Sequence, residues 1–157
     1  MITFLWNLGL AAVWALAVGE LTLGNLLIGF ALGYVVLWLV RGLLGTQEYC
    51  ARMLWIIEFV LYFLWELVKA NLRVAFDVVT PRHYMRPGIL ALPLDAESDM
   101  EITLLANTIS LTPGTLSLNV SEDRKILYIH HMYISDLEQQ KQALKHGFER
   151  RLLRILR

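Results

Sequence analysis

The chain has 157 residues, 57% of them hydrophobic with mean hydropathy +0.52, and its 14 basic side chains balance 14 acidic ones. That apolar share exceeds the roughly 45–50% usual for soluble domains, and neither half has the marked basic excess expected of a nucleic-acid binder. Cys50 is the only cysteine, which excludes an intramolecular disulfide, a zinc cluster and a redox CxxC pair.

The apolar excess lies before about Pro87. Residues 2–18 and 21–40 carry no charge, so both are expected to be membrane helices of about the ~20 residues that a ~30 Å hydrocarbon core demands. No basic residue precedes the first run and a second follows at once, which reads as a retained helix and not a cleaved leader. The tight connection at Gly19 and Glu20 predicts a closely packed hairpin that either spans the bilayer or enters it incompletely. Gly29 and Gly33 have the GxxxG spacing that lets another helix approach closely.

A third helix is expected over residues 53–79. At 100° per residue, Glu58, Tyr62, Glu66, Lys69 and Arg73 share a stripe about 80° wide, with Asp77 beside it. An ionisable group costs at least ~2.5–3.5 kcal/mol near a bilayer centre, so this polar seam must face protein, water or headgroups. Two readings stand: Glu58 and Glu66 adjoin an ion path, or Glu66 pairs with Lys69 or Arg73 while a neighbouring protein matches Glu58. The basic residues after this helix place the C-terminal part on the cytoplasmic side.

Residues 87–157 read as a soluble α+β domain with the membrane domain at 1–86. A strand from Gly88 to Leu94 precedes a capping box at Ser98–Glu101 and a helix to about Thr108. Thr112-Pro113-Gly114-Thr115 is a turn, and Leu116 to Val120 and Ile126 to Tyr133 pair as a hairpin. A second capping box at Ser135–Glu138 opens a final helix with Leu137, Leu144, Phe148, Leu152 and Ile155 buried. The order strand, helix, strand, strand, helix is most of a ferredoxin-like split unit. Lys145, Arg150, Arg151, Arg154 and Arg157 form a basic face read as solvated, with a headgroup or acidic partner as the alternative.

No phosphate loop, zinc-protease signature or nucleophile elbow is present, so the chain is not expected to be an enzyme and no cofactor or metal is implied. His130 and His131 are neighbours on a strand and point to opposite faces, which prevents joint metal binding. His83 and His146 are isolated.

Residues 104–115 (LLANTISLTPGT), with 116–120 (LSLNV) and the Tyr128-Ile129-His130 strand, resemble the E subunit of the multisubunit Mrp-type cation/proton antiporters. Residues 25–29 (NLLIG), the overall length and the small C-terminal domain are similar to that family too. The resemblance implies a multi-pass bacterial plasma-membrane subunit whose partners are the other membrane subunits and the bilayer. It implies a hetero-oligomer exchanging Na+ or Li+ for H+, in which this chain serves assembly or full activity while larger subunits carry the proton relays. Asn107, Thr108, Pro113 and Gly114 mark the family segment. The turn Ser121-Glu122-Asp123-Arg124-Lys125 departs by lacking glycine. A module that is anchored to a membrane and recruits a cytosolic partner is the other function class the sequence allows.

Overall fold

Two helices of 17 residues, α1 (Ile2–Val18) and α2 (Leu23–Leu39), fold back on each other through Gly19. Gly19 has φ +84°, a left-handed backbone that glycine enters without a Cβ clash. Thr22 caps α2 by accepting from the Asn25 amide at 3.2 Å, while Asn25 Nδ2 donates to the Glu20 carbonyl at 2.9 Å. The computed structural model describes residues 2–80, 85–134 and 136–157. They form two compact units, Met1–Leu54 and Trp55–Arg157, and the division falls inside the third long helix, earlier than the change of composition near Pro87.

The hairpin closes on small side chains. Asn7, Ala11 and Ala15 are the buried residues of α1, and Gly29, Gly33 and Leu37 those of α2. A Cβ on Gly29 would stand 2.8 Å from the Ala11 carbonyl oxygen, and one on Gly33 would meet Asn7 Oδ1. Asn7 is fully buried, and its Nδ2 donates to the Tyr49 hydroxyl at 2.8 Å. The outer faces remain apolar and bare, with Leu5, Trp6, Leu16, Leu27 and Leu39 all more than half exposed.

After the one-turn α3 (Arg41–Leu44), Gly45 at φ +65° ends the helix and Thr46 donates to the Leu37 carbonyl at 3.0 Å. The long α4 (Gln47–Val79) then begins six residues before the expected start. Among the described residues no helix is long and apolar enough to cross a membrane. α1 and α2 are about 25 Å long at ~1.5 Å per residue, short of a ~30 Å core. α4 has the length, but its charged seam breaks the apolar character.

In the second unit, β1 (Gly88–Pro93), α5 (Asp99–Ser110), β2 (Thr115–Val120) and β3 (Ile126–His131) follow in the expected order. β3 lies between β1 and β2 and is antiparallel to both, so the first two strands run parallel around a helical crossover. Leu90, Leu92, Leu127 and Ile129 point to one face of the sheet and meet Leu105 and Ile109 of α5. α6 (Leu137–Leu144), a π-helical turn (Lys145–Glu149) and α7 (Arg150–Leu156) complete that core through Leu144, Phe148 and Leu152. Phe59, Tyr62 and Phe63 of α4 pack on the same cluster.

Two details of the last helix depart from the sequence reading. Ser135 lies outside the described residues, and Asp136 is the N-cap, accepting from the Glu138 and Gln139 amides at 2.9 and 3.2 Å. The expected buried stripe is also altered. Leu137 is 47% exposed, whereas Leu153 and Glu149 are buried, because the wide turn lets Phe148 and Glu149 both face inward.

Candidate functional site

The polar seam of α4 turns toward the small domain. Tyr62, Glu66, Lys69 and Arg73 form one wall of a cleft of about 710 Å³, closed on the other sides by Arg86, Pro113, His131 and Tyr133. One turn earlier, Glu58 is clamped by α7: Arg151 Nε donates to Oε1 at 3.2 Å and Arg154 Nη2 donates to Oε2.

Arg151 ties three features together. Its guanidinium lies 4.1 Å from the centre of the Tyr62 ring. Its Nη1 donates to the His146 and Gly147 carbonyls at 2.8 and 3.0 Å, inside the π-helical turn. Gly147 has no Cβ where the Tyr62 hydroxyl sits, and Tyr62 meets Phe148 edge-to-face at 5.4 Å. The wide turn thus makes the seat into which α4 fits.

The basic face of the last helices stays open to solvent at Arg150, Arg154 and Arg157, and four of its five cations also pair with acidic groups of the same chain. Arg151 and Arg154 hold Glu58, Lys145 lies 2.8 Å from Asp95 and 3.0 Å from Glu149, and Arg157 lies 3.1 Å from Glu101. Glu66 and Lys69 pair at 2.5 Å, and the Arg73 guanidinium lies over the Tyr133 ring at 5.3 Å. Among the described residues no three His, Cys, Asp or Glu side chains gather to hold a metal ion.

Residues 7–155 match the family model described as Na+/H+ ion antiporter subunit. The chain belongs to that family. It is similar to the E1 subunit of a Na+/H+ antiporter from Staphylococcus epidermidis, 38% identical over 149 residues covering 95% of this chain and 94% of that protein. The E subunit of the Na+/H+ antiporter from Alkalihalophilus pseudofirmus is 36% identical, over 96% of both chains. A chain in the solved Mrp complex of a Dietzia species shares 32% identity at TM-score 0.50, covering 65% of this chain and 96% of that one. A chain of the membrane-bound sulfane sulfur reductase, an archaeal respiratory membrane complex, matches over all of both chains at 26% identity and TM-score 0.57.

For this member of the antiporter family, residues 107–115 act as a hydroxyl-laced helix exit. Thr108 donates to the Leu104 carbonyl at 2.7 Å, and Thr115 donates to the Ile109 and Thr112 carbonyls at 2.6 and 2.8 Å. These bonds add a second donor to carbonyls in and just beyond the last turns of α5, where Ile109 and Thr112 also accept from the Thr112 and Thr115 amides at 3.1 and 3.2 Å. The exposed Asn107 contributes its carbonyl to the Leu111 amide at 2.9 Å. Gly114 takes φ +88°, and a Cβ there would stand 3.3 Å from the Tyr133 ring.

Glu101, expected only as the capping-box glutamate, has a second task. Its Oε2 accepts from the Glu97 and Ser98 amides at 2.8 and 3.2 Å while Arg157 holds Oε1. The Arg157 guanidinium, then those two amides, lower its pKa to about 2. An unfolded glutamate titrates near ~4.3, so this depressed group adds stability that is complete above about pH 4.5 and lost as pH falls toward 2. Glu101→Gln is expected to cost about 2 kcal/mol at neutral pH, a value reduced from the full shift because Arg157 is 48% exposed. Denaturant unfolding of wild type and variant across that range checks this: the gap between them should close toward pH 2.

The two strand histidines separate as expected. His131 is buried with Nδ1 accepting from the Tyr133 amide at 3.1 Å, and burial, then the charges of Arg73 and His130, lower its pKa. His83 lies outside the described residues, and His146 is exposed. Sequence reasoning missed Glu149, 1% exposed, whose Oε1 accepts from the Asp95 and Ala96 amides at 2.6 and 3.1 Å. A glycine in mid-helix at position 147 was the available signal, since such a glycine costs a helix ~1 kcal/mol and implies a packing reason.

Proposed function

We propose that the chain is a membrane-associated accessory subunit of a multisubunit monovalent cation/proton antiporter, serving assembly or full activity while other subunits carry the main proton relay. The carrying observation is the state of the seam: Glu58 is held by two arginines and Glu66 by a lysine, so neither carboxylate stands bare for a passing cation. An ion path needs carboxylates open to the passing ion, whereas these two are committed to ion pairs. Their role is to hold α4 against the C-terminal domain.

Membrane association is supported by the bare apolar outside of the hairpin, which carries far more hydrophobic surface than a soluble surface tolerates. α1 and α2 insert as a tightly packed pair, and the C-terminal domain lies on the cytoplasmic side, as the basic residues around the end of α4 favour. The Mrp complex and the respiratory complex in which similar chains occur are both multisubunit assemblies. The exchanged ions are Na+ or Li+ against H+, and the partners are the other membrane subunits and the bilayer.

Affinity purification of the full chain in mild detergent tests this reading. It should recover several other membrane proteins at a fixed ratio. Isolation as a lone chain that moves cations by itself would refute it.

A further inference from the structure

The cleft beside α4 has an unbalanced charge. Lys69, Arg73 and Arg86 line it against the single carboxylate of Glu66, which Lys69 already neutralises. At its floor, His131 uses Nδ1 to accept the Tyr133 amide, so the neutral ring carries its proton on Nε2 as a donor. The Asp77 carboxylate beside the Tyr133 hydroxyl raises that phenol's pKa, although the pair falls short of a well-formed hydrogen bond. Thr112 and Pro113 bring the family segment to the same cleft. A volume of about 710 Å³ suits a headgroup-sized ligand.

The neighbouring face of α4 is apolar and open. Leu61, Trp65, Val68 and Leu72 are each at least half exposed. Trp65 and Leu72 lie within about a quarter turn of the cationic seam at 100° per residue. Two arginines, a side chain whose planar fork suits phosphate, therefore line a cleft beside a strip fit for acyl chains.

We propose that this cleft holds the phosphate of an anionic phospholipid whose chains lie along the apolar flank of α4. The proposal rests on the membrane association argued above. Arg73 and Arg86 grip the phosphate, Lys69 adds charge, and the turn at Pro113 walls the headgroup in. Bound in this way, the lipid fastens the C-terminal domain to the bilayer surface.

The test uses the full chain released from phosphatidylcholine bicelles that contain a minor share of phosphatidylglycerol, with retained lipid read by native mass spectrometry. Phosphatidylglycerol should be retained over phosphatidylcholine, and Arg73→Gln with Arg86→Gln should lower that retention about tenfold. Arg150→Gln, an exposed cation outside the cleft, should leave it unchanged. Arg86→Lys, which keeps the charge and spares the fold, should retain most of it, and circular dichroism confirms that each variant is folded. Equal retention of the two lipids, or an equal loss in Arg150→Gln, overturns the proposal. Displacement of the lipid by millimolar inorganic phosphate would assign the cleft to free phosphate and overturns it too. Failure of the chain to enter phosphatidylcholine bicelles at all would instead refute the membrane reading beneath it.

Discussion

Gly29→Leu is expected to open the N-terminal hairpin, at a cost of about 3 kcal/mol or more. Overpacking usually costs ~1–3 kcal/mol because neighbours shift. Here the neighbours are the Ala11 carbonyl oxygen and Cα at 2.8 and 2.9 Å from the new Cβ, and backbone cannot rotate aside as a side chain can. The side chain beyond that Cβ has no space either, since Trp14 Cβ is also 2.8 Å away. Gly9 provides the control: nothing lies within 4 Å of a Cβ there, so Gly9→Leu should leave the hairpin intact. Limited proteolysis at the Gly19 turn, in mild detergent, separates the two, with rapid cleavage expected only for Gly29→Leu.

The second large effect is expected at Glu149. Its alanine variant strands the buried Ala96 amide and the part-buried Asp95 amide, and since an unmatched buried donor costs ~1–3 kcal/mol, the loss should be about 2–3 kcal/mol. Lys145 keeps Asp95 at 2.8 Å and is not left without a counter-charge, which limits the damage. Glu149→Gln retains an acceptor for both amides and should cost less than half as much. Denaturant unfolding of the full chain in detergent reads both values. If alanine and glutamine variants unfold alike, the amide bonds are not what Glu149 contributes.

The arrangement of strands and helices in the second unit was legible because its signals are local. The Ser98–Glu101 capping box, the Pro113-Gly114 turn and the alternation of β3 each act within a few residues. Partners distant in sequence were not legible. Glu58 pairs with Arg151 and Arg154 across more than 90 positions, and periodicity could place Glu58 on a face without naming what covers it. The π-helical turn escaped for a related reason, since a steady 3.6-residue period passes through residues 145–149 without signalling an extra residue. Hydropathy showed two apolar runs, but the cap at Thr22 and the end at Leu39 trim the second to 17 residues. Gly29 and Gly33 carried the expected spacing, and the face they line is spent on α1 of the same chain.

The mechanical task proposed for α4 turns on Glu58. Glu58→Ala frees Arg151 from its carboxylate and leaves Arg154 with only the Trp55 ring at 5.2 Å among its described contacts. The most direct measurement compares, in the same membranes, the yield of the assembled complex and its cation-dependent proton movement. A strap predicts that assembly falls and transport falls in proportion, so activity per assembled complex is unchanged. Full assembly with lost proton movement would contradict it, placing Glu58 on the ion path, and full assembly with unchanged transport would leave the seam without either role.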